Sequence, residues 1–345
     1  MAAIEYCYDQ GWTDGWPVVP PDPERVAAFL ATTRRPPDQV IWRMEHVGRE
    51  CTVELAAINA VMAGCRPEYF PVVLAALEAV IDEGSPKIGA WQSTTGGAPI
   101  LVVNGPVRQR LGFNSRGNVF GPGFRANATV GRAIRLIILN AYGIRPHGLD
   151  QSTQGTPAKY TCCIAENEED SPWEPLHTEL GYDRTADVVS ALHVRSIDFV
   201  DNRQTADPEA LLNDLVDTAS RSGALRRLEQ CTLFILGPEH AQLLARHGWS
   251  KAEVKRYVAE RAGKTWAELR AVGKDATEPP LGFARPSTEA ERAGRDETAW
   301  MRPFRDPSQV LVVVAGAPNA GVSAVAQPFS TRWRKVPGHA RVEGN

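Results

Sequence analysis

Cys65 stands between Gly64, which fits the end of one helix, and Pro67, which fits the start of the next. A thiol there faces the positive end of a helix dipole, and the neighbouring Arg66 adds charge; both lower a thiol pKa toward what a nucleophile needs. The competing reading is a cysteine filling a tight helix–helix corner, where cysteine is common. Gly121–Arg132 is a glycine-rich loop running into a helix with Asn127 as its cap. Unpaired backbone N–H groups there, with Arg125 and Arg132, suit a carboxylate or phosphate. The stretch has neither the Lys-Ser/Thr ending of a P-loop nor a dinucleotide fingerprint, and its arginines could simply be solvated. Lys159 just before a strand, with Glu166 and Glu168 just after it, could form a charge-coupled group for general acid–base work or metal binding. The alternative is an acidic surface turn. Pro172–Pro175 holds Trp173 and Glu174 in a rigid loop that suits a pocket wall or a subunit contact. Gln92, Thr94 and Thr95 lie in a hydroxyl-rich segment, Gln92–Gly97, that could hydrogen-bond a ligand or serve as a linker. The seven histidines form no close pair, so a metal would have to be assembled in space, for example from Glu45, His46 and Glu174. No spacing specifies a metal or an organic cofactor.

The elements that must position these groups alternate between helix and strand. Pro23–Leu30 reads as a helix with Asp22 as N-cap, and Thr52–Gly64 as a helix with a glycine stop. Pro67–Asp82 reads as a buried helix, Pro99–Asn104 as a strand, Ala126–Tyr142 as a helix and Lys159–Ala165 as a strand. Further on come a strand at Val188–Val200, a helix at Pro208–Arg221, a strand at Cys231–Leu236 and a helix at Glu239–Arg246. A capping box opens a helix at Ser250–Ala262, a surface excursion covers 264–306, and Gln309–Ala315 is a strand. The fold class is α/β. Helix, strand into Gly-Pro, helix, capped helix and strand occur in that order in both halves, which suggests an internal duplication of an α/β unit with a cleft between the copies. The alternative is the strand–turn–helix alternation usual in α/β proteins. The expected boundaries are 1–50 for an N-terminal extension with a short helix, 51–180 and 181–330 for the two units, and 331–345 for a loose basic tail.

A chain of 345 residues, 43% hydrophobic and 23% charged, is ordinary globular material. Its net charge of −3 supplies no field for nucleic acid or anionic membrane, and no apolar run approaches a bilayer span. No signal-like segment opens the chain, and six scattered cysteines without a CxxC pair fit a reduced cytoplasm.

Four stretches also resemble a poorly characterised bacterial family. They are Gly11-Trp-Thr-Asp-Gly-Trp-Pro-Val-Val-Pro-Pro21, Ala60-Val-Met-Ala-Gly-Cys-Arg-Pro-Glu-Tyr69, Gly121-Pro-Gly-Phe-Arg-Ala-Asn-Ala-Thr-Val-Gly-Arg-Ala133, and Lys159-Tyr160 through Glu166-Asn-Glu-Glu169 to Pro172-Trp-Glu-Pro175. Members of that family are found as partners of, or fusions to, proteins with a UGSC motif, a selenocysteine or cysteine in a thiol-redox-like setting. The resemblance covers most of 10–180 and, more weakly, 230–325. It implies a link to thiol or selenol chemistry and no particular reaction. This chain has no UGSC motif of its own, and Gly316–Ser323 lacks a histidine that the resemblance leads one to expect.

The leading expectation is an enzyme acting on a small anionic metabolite, a lyase or a thiol-dependent transferase at a carbon–heteroatom bond. Arg125 and Arg132 would hold the anion, Cys65 would attack, and Lys159 with Glu166 or Glu168 would move protons. One rival is a metal-dependent hydrolase or lyase. Another is a non-catalytic subunit of a thiol or selenol redox protein, with an aromatic patch at Trp12, Trp16 and Trp173. A homo-oligomer is expected.

Overall fold

Capping chemistry written in the sequence sets several element ends. The Asp22 carboxylate accepts from the Arg25 N–H at 2.9 Å, and Pro23 follows as the first helical residue. Thr52 Oγ1 accepts from the Leu55 N–H, and the helix it opens stops at Gly64, whose φ of 86° suits glycine. Ser250 and Glu253 form the reciprocal capping box.

The computed structural model describes residues 1–223, 231–275, 287–329 and 337–343. The helices that matter below are α1 (Ala2–Asp9), α2 (Pro23–Leu30), α3 (Val53–Ala63), α4 (Phe70–Glu83), α5 (Val107–Arg110) and α6 (Arg125–Asn140). They are followed by α7 (Leu176–Glu179), α8 (Pro208–Ala219), α9 (Pro238–Arg246) and α10 (Lys251–Arg261). The strands begin with β1 (Val40–Met44), β2 (Arg49–Thr52), β3 (Ala98–Asn104), β4 (Cys163–Ala165) and β5 (Val188–Asp201). They continue with β6 (Thr232–Leu236), β7 (Lys264–Thr265), β8 (Trp300–Met301), β9 (Val310–Val314), β10 (Val322–Pro328) and β11 (Gly338–Arg341). The chain is α/β, with both parallel and antiparallel strand pairs.

Two compact units divide it. The first comprises residues 1–166, 177–193 and 337–345, and the second comprises 167–176 and 194–336. In the first unit β4 lies parallel to β3, β3 neighbours β5, and β11 runs antiparallel to the start of β5. Every residue of β3 is buried, as expected for an apolar run covered on both faces. Its core joins Val26, Phe29 and Met44 to α3, α4 and α6. Residues 1–50 are thus part of this unit and not a separate extension. In the second unit β10 runs antiparallel to both β5 and β6, and β6 lies parallel to β9. Helices α8, α9 and α10 pack into the core of this unit through Leu212, Leu244 and Val258.

Several expected elements change. The strand expected at Lys159–Ala165 shrinks to Cys163–Ala165, because Pro157 turns the chain into a 3-10 segment that ends at Lys159. The helix expected from Pro67 begins as a 3-10 turn, Pro67–Tyr69, and becomes α-helical at Phe70. The basic tail is not loose at 338–341: β11 pairs with β5, and Tyr182 bonds His339 Nδ1 at 2.8 Å. Residues 331–336 of that tail and 276–286 of the surface excursion lie outside the described residues.

Candidate functional site

Helix α6 is the spine on which most of the charged groups are hung. Val130, Ile134, Ile137 and Ile138 bury its apolar side, and Gly131 admits the neighbouring chain, since a Cβ there would stand 2.4 Å from Thr161 Oγ1. Three arginines leave the same helix, and their contacts separate their roles.

Arg125 donates from Nε to the Gly64 carbonyl at 2.9 Å and from Nη2 to the Cys65 carbonyl at 3.3 Å, satisfying the end of α3. Arg132 grips Asp14 with two bonds of 2.8 and 2.7 Å and also donates to the Trp16 and Pro17 carbonyls. Both guanidiniums are therefore engaged in holding the chain together, which corrects their expected role as the anion clamp. Asn127 is not the cap of α6, a place taken by Phe124. Its buried amide accepts from the Asn114 N–H at 2.8 Å and donates to the Asn114 and Cys163 carbonyls.

Arg135 differs. Its Nε donates to the Lys159 carbonyl at 2.9 Å, and it forms no ion pair among the described residues. Burial pushes the guanidinium down to about 10, opposed only by Asp150 and Asp14 acting from a distance. A partly buried cation without a carboxylate in contact is costly and invites an anion.

Beside it lies a three-membered cluster. Lys159 Nζ donates to Asp150 Oδ2 and to Ser152 Oγ, each at 2.5 Å, and Ser152 Oγ also bonds Asp150 Oδ1. Burial lowers the Lys159 pKa, and Arg135 lowers it further against the pull of Asp150. For Asp150, burial works upward, but the bonds from Lys159 and Ser152 prevail and hold its carboxyl below the usual range. The loop that carries Ser152 is docked on the 92–97 loop: the Thr153 N–H donates to the Thr94 carbonyl at 3.0 Å. Gly96 and Gly155 both have positive φ, and a Cβ on Gly96 would stand 2.7 Å from Gly155 Cα. His193, buried in the same unit, is pushed down to about 3 by burial and by the positive fields of Arg135 and Lys159. It is neutral at physiological pH.

The other expected residues are scattered. Cys65 is 6% exposed, and burial pushes its thiol up to about 12 against the weaker effects of Thr129, Arg125 and Arg132. The expected lowering is reversed because burial of the sulfur outweighs the positive charges around it. Arg66 is exposed on the surface of that turn. Glu166 is fully buried at the end of β4, where Oε2 accepts from Asn104 Nδ2 at 2.7 Å and its carbonyl from Arg108 Nη1 at 2.7 Å. Gln92 Oε1 pairs with His46 Nε2 at 3.0 Å; Thr94 is exposed, and the Thr95 N–H donates to Ser93 Oγ. Glu168, Trp173 and Glu174 belong to the second unit. There Trp173 Nε1 donates to the Trp249 carbonyl, and the Glu174 carbonyl accepts from Lys251 Nζ. Trp173 packs against that unit's core, while Trp12 and Trp16 are 36% and 48% exposed. Trp16 stacks on Tyr160 at 4.8 Å.

Of the expected site residues, then, Lys159 and the 92–97 loop come together, joined by Arg135, Asp150 and Ser152, to which the sequence assigns no role. The signals for these three were an arginine three places beyond Arg132 on one helix and an Asp-x-Ser turn, in which the Ser152 N–H donates to Asp150 Oδ1. Among the described residues, no group of three or more His, Cys, Asp or Glu side chains could hold a metal, and no helix is long and apolar enough to cross a membrane. No known family, curated protein or solved structure matches the chain.

Proposed function

We propose that the chain is an enzyme that binds a small anion at Arg135 and moves a proton through Lys159, in lyase-type chemistry at a carbon–heteroatom bond. The observation that carries this reading is the partly buried Arg135 guanidinium without an ion pair among the described residues, beside Lys159 held by Asp150 and Ser152. The anionic group of the substrate would supply the counter-charge that Arg135 lacks. The Lys159 amine, whose lowered pKa raises its neutral fraction, would take a proton from the carbon beside that group. The electron pair left behind would form the double bond as the heteroatom departs. Asp150 and Ser152 would aim the amine. Cys65 has no part in this scheme.

The test begins with thermal-shift screening of the whole chain against inorganic phosphate, malonate and succinate. Deuterium uptake at the carbons of succinate in D2O then reports proton abstraction. Uptake by the wild type that Lys159→Met abolishes supports the reading, and uptake of equal rate in both proteins overturns it.

An internal duplication is part of the same proposal. β3, Gly105-Pro106, α5, α6, β4 and β5 recur in order as β6, Gly237-Pro238, α9, α10, β9 and β10. The glycines support it most: a Cβ on Gly105 would stand 2.1 Å from the Ala186 carbonyl oxygen, just before β5. One on Gly237 would stand 2.3 Å from the Val322 carbonyl oxygen, at the start of β10.

A second reading rests on exposed aromatic rings. Tyr6 and Trp12 pair edge to face at 5.8 Å, and Trp16 and Tyr160 stack, all four partly open to solvent. Together with the resemblance to partners of UGSC proteins, this supports docking of a thiol or selenol protein, or self-association. Sedimentation of wild type and Trp12→Ala/Trp16→Ala, alone and with a UGSC-motif protein, tests it; unchanged profiles in every mixture would remove it.

A further inference from the structure

A cavity of about 570 Å³ opens in the first unit, away from the residues discussed so far. Its walls come from the turn after α2, from one face of α4 and from the end of β11 with the residues that follow it. That volume lies within the range of small-molecule sites.

The charges around it are unevenly matched. Arg35 is fully engaged: Nη1 meets Glu78 Oε1 at 2.5 Å, and Nη2 and Nε meet the two Glu343 oxygens at 2.7 and 3.1 Å. This fork ties the C-terminal segment to the turn after α2 and makes a fixed wall. Two further guanidiniums line the cavity, Arg34 and Arg341, and neither has an ion pair or side-chain hydrogen bond among the described residues. Counting Arg34, Arg35 and Arg341 against Glu78 and Glu343 leaves the cavity one positive charge in excess. The apolar surface of the cavity comes from Pro36 and Pro71, with Leu74 and Ala75 buried behind it.

We infer that this cavity is a binding site for a small amphipathic carboxylate, separate from Arg135 and Lys159. The carboxylate would lie between Arg34 and Arg341, whose planar forks suit it, and the hydrocarbon would lie against Pro36 and Pro71. Inorganic phosphate satisfies the charge but not the wall, and a neutral amide satisfies the wall but not the charge.

Calorimetric titration of the full chain, as wild type and as Arg135→Gln, with hexanoate, hexanamide and inorganic phosphate tests the inference. The ligands are compared in Arg135→Gln, where the proposed catalytic anion site is absent. Saturable hexanoate binding is expected, with hexanamide and phosphate each at least ten-fold weaker. Arg34→Gln/Arg341→Gln is expected to weaken hexanoate at least ten-fold. Both arginines are exposed and make no structural bond, so the fold should persist, as an unchanged urea midpoint will show. Arg135→Gln is expected to leave hexanoate binding intact, which separates this site from the proposed catalytic one. Absence of hexanoate binding, equal binding by the double variant, or equal binding of amide or phosphate would each overturn it. Loss of hexanoate binding in Arg135→Gln would do so too.

Discussion

Arg135→Met should make the protein more stable while abolishing its affinity for small anions. The guanidinium falls from the ordinary 12.5 to about 10, chiefly through burial. At about 1.4 kcal/mol per pKa unit, keeping it charged costs the fold about 3 kcal/mol. Methionine fills a similar volume without that cost. The substitution also loses the bond from Nε to the Lys159 carbonyl, which contributes about 1 kcal/mol. The balance is a gain of about 2 kcal/mol, read as a higher urea midpoint at unchanged slope. A functional residue that weakens its own fold is the expected signature of a binding site. A structural arginine behaves in the opposite way: removing one member of a buried pair costs about 3–5 kcal/mol. Arg132→Met, which breaks the bond to Asp14, is the internal control and should destabilise. If Arg135→Met lowers stability by 2 kcal/mol or more, or keeps the anion affinity of the wild type, the reasoning fails.

Other predictions follow from the same contacts. Gly96→Ala should separate the 92–97 and 152–155 loops, since its Cβ meets Gly155 at 2.7 Å, with a cost of about 1–3 kcal/mol and weaker anion binding read by calorimetry. His193 sits at about 3 when folded and near 6.5 when unfolded, so its contribution is complete above 6.5 and is lost as pH falls toward 3. Between those limits wild type should lose about 1.4 kcal/mol per pH unit more than His193→Gln, measured by urea unfolding across pH 6 to 4. Cys51, Cys65 and Cys162, all pushed to about 12, should resist iodoacetamide in the native protein at pH 8, where roughly one thiol in ten thousand is ionised; rapid labelling of Cys65 would contradict its burial.

The fold was largely legible where a residue dictates its own backbone. Thr52 and Gly64 mark both ends of α3, and Ser250 with Glu253 starts α10, because caps act within one turn. β10 was not foreseen: its small residues follow a Gly-Ala-Pro-Asn turn and gain strand identity only by pairing with β5 and β6. β11 read as a basic tail for the same reason, since it is held by β5 and by Tyr182, more than a hundred residues away in sequence. The site was legible as a charged span but not as a geometry. Arg132 and Arg135 are one helical turn apart and chemically identical, yet only Arg132 meets Asp14, a partner 118 positions away. Cys65 looks reactive from its neighbours, but its burial in the core, which local spacing does not reveal, raises the thiol.

The central claim is that Arg135 holds a small anion beside Lys159. Calorimetric titration of succinate into wild type, Arg135→Gln and Lys159→Met at pH 8 addresses it directly. The account predicts saturable one-to-one binding to the wild type, at least a ten-fold loss in Arg135→Gln but not in Lys159→Met, and urea midpoints that show both variants folded. Equal affinity in all three proteins, or no binding of succinate, malonate or phosphate by the wild type, would contradict it.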